Sequence, residues 1–78
     1  MDMFKGKKIL ITGGTGSLGK ALAKRLLELD ADIVRIFSRN ENSQIIMQSE
    51  MKDDRLRYFI GDIRDLPRLI KAMEDVDI

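Results

Sequence analysis

Between Thr12 and Gly19 the chain reads Thr-Gly-Gly-Thr-Gly-Ser-Leu-Gly, directly after the aliphatic run Ile9-Leu10-Ile11 and directly before a stretch of helical periodicity. Few folds use such a sequence in that position. Glycines leaving a strand allow a sharp turn, and glycines opening a helix allow another backbone or a ligand to come close. The first backbone N–H groups of a helix have no partner inside it, and its dipole is positive at that end, so the loop is shaped to receive an anion. Two spacings fit together: Gly14, Gly16 and Gly19 follow G-x-G-x-x-G, and Gly13, Gly16 and Gly19 follow G-x-x-G-x-x-G. A nucleoside-triphosphate P-loop does not fit. Its spacing is wrong, and Ala21 follows Lys20 where that motif needs a hydroxyl. Lys20 is therefore expected to be a solvated helix residue.

The rest of the chain alternates. Leu18, Ala21, Leu22, Leu26 and Leu29 recur at helical spacing, which predicts a helix from Ser17 to about Leu29. Ile33 to Phe37 reads as a second strand. Asn40, Asn42 and Ser43 suit a helix start, for a helix reaching Met51. Leu56 to Ile60 is a third strand closed by Gly61. Asp65 can cap a third helix with Pro67 in its first turn and an apolar stripe of Leu66, Leu69, Ile70 and Met73. Val76-Asp77-Ile78 looks like the start of a further element. The order β-α-β-α-β-α predicts an α/β fold, the N-terminal half of a Rossmann-type parallel sheet with strand order 3-2-1, occupying residues 1–78 as one partial NAD(P)-binding domain.

Composition narrows the function. A formal charge of +1 lacks the concentrated basic face that nucleic acid requires. Without cysteine or histidine there are no disulfides, no thiolate metal sites and no imidazole base, so no metal site is expected. No apolar run nears the roughly 20 residues of a membrane span, and the N-terminus does not read as a secretory signal, so a cytoplasmic location without membrane contact is expected. A domain this short buries only about 60% of its unfolded surface and should be marginally stable.

In dinucleotide folds the end of the second strand meets the adenosine ribose. Here it reads Ser38-Arg39-Asn40-Glu41. A hydroxyl and a guanidinium suit a 2′-phosphate, which favours NADP over NAD. Glu41 leaves a ribose contact, and with it NAD, open. Asp62 follows the third strand at the ligand side of such a sheet, where it can accept a hydrogen bond from the adenine amino group while Ile63 covers the ring. Asp65 is the better helix cap and leaves Asp62 for that role.

The runs Lys8 to Lys20, Ser38 to Glu41 and Arg57 to Asp65 together resemble the extended short-chain dehydrogenase/reductases, nearest to the UDP-N-acetylglucosamine 4,6-dehydratases and related polysaccharide-biosynthesis proteins. The resemblance implies that Thr15, Gly16, Ser17 and Leu18 contact the pyrophosphate, that Ser38, Arg39 and Asn40 surround the ribose and 2′-phosphate, and that Asp62 and Ile63 frame the adenine. With Gly13, Gly19 and Ser43, these are the candidate cofactor-binding residues. Ser43 stands where relatives often carry a lysine, which weakens the NADP assignment.

The resemblance further implies an NADP-dependent lyase that oxidises C4 of a UDP-sugar, eliminates water across C5 and C6 and returns the hydride at C6. Its catalytic residues lie downstream of every position here, so no catalytic residue is assigned and the 78 residues alone are expected to be inactive. A sugar-nucleotide epimerase, or a non-catalytic nucleotide-binding module, are the alternatives. A first strand without a fourth beside it would expose unpaired backbone, which predicts self-association through that edge or its covering by the C-terminal residues.

Overall fold

The computed structural model describes residues 3–13 and 16–78. Three strands, β1 (Lys8–Thr12), β2 (Ile33–Ser38) and β3 (Leu56–Ile60), alternate with three helices, α1 (Ser17–Glu28), α2 (Glu41–Glu50) and α3 (Leu66–Ala72). The sheet is parallel, with β2 in the centre, and its order is the expected 3-2-1. Ile9 pairs with Val34, and Val34 in turn with Leu56.

Side chains alternate across a sheet, so each strand feeds two layers. Ile9 and Ile11 of β1, Val34 and Ile36 of β2 and Leu56 of β3 form one layer. They are buried with Ala23, Leu26 and Leu27 of α1 and Met47 of α2. Both of these helices therefore cover the same face. The opposite layer belongs to α3. There Arg35 donates from Nη1 to the carbonyl of Ala72 at 3.0 Å and to that of Glu74, so a guanidinium satisfies the last carbonyls of the helix at the negative end of its dipole. Phe59 lies between two cations on this face, with the Arg35 and Arg68 guanidinium carbons 5.8 and 5.9 Å from its ring centre.

The helix ends follow local rules. Asn40 caps α2 by accepting from Ser43 N–H at 3.0 Å, and Asp65 caps α3 by accepting from Arg68 N–H at 3.4 Å. At the end of α1, Ala31 N–H reaches Leu26 O and Asp30 N–H reaches Leu27 O, both at 3.1 Å. This is a Schellman closure with Asp30 in the left-handed position at φ 65°.

Two expected helix faces need correction. On α1 the buried line is Gly19, Ala23, Leu26 and Leu27, while Leu18 is 83% and Leu22 45% exposed. Helix and sheet approach through the small residues, which turns the two leucines outward. On α3 the stripe of Leu66, Ile70 and Met73 is exposed, and Ala72 is the buried residue. The helix meets the sheet through its last turn, where Arg35 holds it.

The chain ends beside β1. Asp77 N–H donates to Lys8 O at 2.7 Å, Leu10 N–H donates to Ile78 O at 2.9 Å, and the Asp77 carboxylate accepts from Lys8 N–H at 2.9 Å. Backbone groups alternate along a strand, so these bonds occupy the edge of β1 turned away from β2. The last two residues thus cover part of the edge, in parallel sense.

Candidate functional site

The carboxyl ends of all three strands open into one cleft of about 450 Å³, lined by Thr12, Gly13, Phe37, Ser38, Arg39, Gly61, Asp62, Ile63 and Arg64. In a parallel α/β sheet this is the end at which ligands bind. Each wall has a local cause. Gly13 leaves β1 at φ 65°, a conformation that L side chains rarely adopt, and its N–H donates to Phe37 O at 2.8 Å. That bond ties the glycine loop to the end of β2. Gly61 N–H donates in the same way to Ser38 O at 2.9 Å, tying β3 to β2.

Gly16 is the N-cap of α1. Its φ of −77° is open to any residue, and a Cβ added there would meet nothing within 4 Å among the described residues. Neither backbone strain nor packing within the described chain calls for a glycine here. The helix start is also bare. Among the described residues no side chain caps it and no acidic residue lies in its first turn, so none of them compensates the positive end of the dipole.

The polar floor of the cleft joins expected residues to two partners absent from the sequence-derived set, Gln44 and Arg64. Ser38 and Gln44 are both buried, and Gln44 Nε2 donates to Ser38 Oγ at 2.9 Å and to Phe59 O at 2.8 Å. The serine oxygen therefore already accepts one hydrogen bond, while its proton is left to donate. Asp62 is clasped by Arg64. The backbone N–H and Nε of Arg64 reach Oδ1 at 2.9 and 3.1 Å, and its Nη2 reaches Oδ2 at 2.8 Å. Arg39 Nη1 approaches Oδ2 at 3.4 Å. The side-chain and backbone donors of Arg64, with the further charge of Arg39, hold the Asp62 carboxyl well below the usual carboxylate range. Asp62 is thus less open to a ligand than its position in the sequence suggests. With two guanidinium groups facing one carboxylate, the cleft carries a net positive charge.

Of the expected site residues, Gly13, Ser38, Arg39, Asp62 and Ile63 come together in the cleft. Gly16, Ser17, Leu18 and Gly19 form the adjoining start of α1, with Gly19 buried against the core. Asn40 and Ser43 are joined to each other in the α2 cap, so the Asn40 oxygen is committed to the helix. Thr15, like Gly14, lies outside the described residues. Arg64 and Gln44 were missed. Arg64 had a readable signal, since an Asp two residues before an Arg allows a turn closed by the carboxylate. Gln44 had none, because its partners come from two strands.

A larger hollow, of about 550 Å³, lies between α1 and the segment joining α2 to β3. Its charges pair with one another, Lys20 with Glu50 at 3.4 Å and Arg55 with Asp53 at 2.7 Å, and it shares no lining residue with the cleft at the carboxyl ends of the strands. It reads as a solvated seam between elements. Lys20 is accordingly a helix-surface residue. Among the described residues no helix is long and apolar enough to cross a membrane, and no acidic cluster is gathered to hold a metal ion.

A parallel sheet whose carboxyl strand ends open into one cleft, beside a helix that starts at a glycine, defines the Rossmann class. Residues 9–78 match the family described as polysaccharide biosynthesis protein, and the chain belongs to that family. It is 54% identical over 76 residues to a UDP-N-acetylglucosamine 4,6-dehydratase (inverting) of Campylobacter jejuni, covering 96% of this chain and 23% of that protein. It is 44% identical over 79 residues to a UDP-glucose 4-epimerase of Rickettsia bellii, again covering 96% of this chain and 23% of the relative. Among solved structures, Pen from Bacillus thuringiensis superposes with a TM-score of 0.91 at 45% identity, over 96% of this chain and 23% of that one. The chain thus spans about a quarter of the length of the relatives it matches.

Proposed function

We propose that this chain forms the adenosine and pyrophosphate side of an NADP site in a sugar-nucleotide 4,6-dehydratase of the UDP-N-acetylglucosamine type. The observation that carries the reading is Gly16, a glycine without a conformational or packing reason within the described chain, placed at the bare start of α1. A pyrophosphate lying against that backbone supplies the reason, and the N–H groups that open α1 neutralise its charge. Thr15 would join them at the loop.

The residues around the cleft fit the rest of the cofactor. Arg39 meets the 2′-phosphate, the Ser38 hydroxyl donates toward the ribose, and Asp62 and Ile63 border the adenine. The excess of positive over negative charge in the cleft favours the phosphorylated dinucleotide. The higher identity to the dehydratase than to the epimerase favours the first reaction. When bound, the nicotinamide supplies hydride acceptance and return, which the dehydration of a UDP-sugar requires. This chain's own residues bind and orient the adenosine half, and none of them is assigned to proton transfer on the sugar.

Fluorescence titration with NADPH and NADH, together with adenosine 2′,5′-bisphosphate, tests the reading. Binding of NADPH at least about tenfold tighter than NADH is expected, with competition by the bisphosphate. Preference for NADH would favour an NAD-dependent epimerase instead. Failure of both to bind would overturn the dinucleotide site.

A further inference from the structure

Arg64 has no evident role in holding the fold. Its side chain is 82% exposed, and its donors go to Asp62. The chain contains a second clasp of the same form. Asp53 accepts from the backbone N–H of Arg55 at 2.9 Å and from its Nε and Nη2 at 3.0 and 2.7 Å. That arginine also reaches across to Leu27 O at the end of α1, at 3.2 Å, so it joins two elements. The Asp62–Arg64 clasp sits at the opposite end of β3 and faces the cleft.

Its consequence is electrostatic. Both oxygens of Asp62 are engaged by Arg64 at hydrogen-bond distance, whereas Arg39 touches one oxygen at the longer 3.4 Å. Arg39 can leave that contact for an incoming phosphate without stranding the carboxylate. Without Arg64, the same carboxylate would hold Arg39 to itself, and Arg39 could meet a phosphate only by leaving an unpaired negative charge beside it.

We infer that Arg64 is a positioning residue that sets the preference for a 2′-phosphorylated dinucleotide, by clasping Asp62 so that Arg39 stays available to the phosphate. The inference rests on the cofactor reading above and assigns the discrimination to a residue outside the expected binding set. Arg64 acts through Asp62, so its effect is erased when the carboxylate is removed.

The test compares the unaltered chain, Arg64→Ala and Arg64→Ala/Asp62→Asn, each titrated with NADPH and with NADH at low salt, with circular dichroism to verify folding. Exposed charges interact weakly, so Arg64→Ala is expected to lower the NADPH-to-NADH preference about fivefold, with NADH affinity nearly unchanged. The double variant should regain most of the preference, because Asn keeps the turn without the charge. An unchanged preference in Arg64→Ala, or an equal loss for both cofactors without recovery in the double variant, would overturn the inference. If the unaltered chain itself shows no preference for NADPH, the cofactor reading fails, and this inference with it.

Discussion

Arg64 closes on Asp62 with its backbone N–H, Nε and Nη2, and immediately before β3 Arg55 closes on Asp53 in the same way. One strand is therefore bracketed by two identical turns, one facing the cleft and one facing the body of the fold. The difference lies in their surroundings, since only Arg55 reaches a second element, at Leu27.

The inner clasp predicts a particular acid response. Side-chain and backbone hydrogen bonds from Arg55 depress the Asp53 pKa in the folded state. A depressed carboxylate stabilises the fold at pH values above its unfolded pKa of about 3.9, and that contribution is lost as pH falls through the lower folded value. Asp53→Asn is expected to cost at most about 1 kcal/mol at pH 7, since the pair is partly exposed. The gap between variant and parent should close below about pH 3. Urea unfolding at several pH values measures it, and a gap constant with pH would refute the assignment.

Gly61 is a structural glycine. A Cβ there would stand 2.9 Å from Phe37 Cζ and 2.8 Å from Arg68 Cγ. Arg68 can swing aside, but Phe37 is fully buried and cannot. Gly61→Ala is expected to destabilise the fold by about 1–3 kcal/mol through overpacking. Chemical denaturation checks the prediction, and an unchanged midpoint would contradict it.

Tyr58 packs against the main core, and its hydroxyl is buried without a hydrogen-bond partner among the described residues. Burial raises its pKa, as expected for a phenol that cannot ionise into solvent. Tyr58→Phe removes a polar group that water satisfies in the unfolded chain. It should leave stability unchanged or raise it by up to about 1 kcal/mol. A loss of similar size on thermal unfolding would mean that the hydroxyl has a partner in solution.

The parts of this fold legible in the sequence are those with local causes. Ile9-Leu10-Ile11 and Ile33 to Phe37 read as strands because continuous β-branched and aliphatic runs mark strands covered on both sides. Asn40 and Asp65 were legible as caps because each lies three residues before the N–H it accepts from. The helix faces were harder. Leu18 and Leu22 have the right spacing for a buried stripe, yet the close crossing selects Gly19 and Ala23, and the choice between neighbouring faces is made by the sheet. Site residues with long-range partners were least legible. Gln44 is a polar residue on a helix until β2 and β3 bring Ser38 and Phe59 O to it. Arg64 reads as surface charge until its turn is seen.

The central claim concerns Gly16, and one paired measurement on Gly16→Ser tests it. Serine is a better N-cap than glycine and meets nothing within 4 Å at its Cβ among the described residues. The account predicts a chain as stable as the parent, or more stable by up to about 0.5 kcal/mol. The same substitution puts a side chain where the pyrophosphate should lie, so NADPH affinity should fall at least about tenfold. Stability preserved with NADPH affinity undiminished would contradict the claim that the start of α1 receives the pyrophosphate.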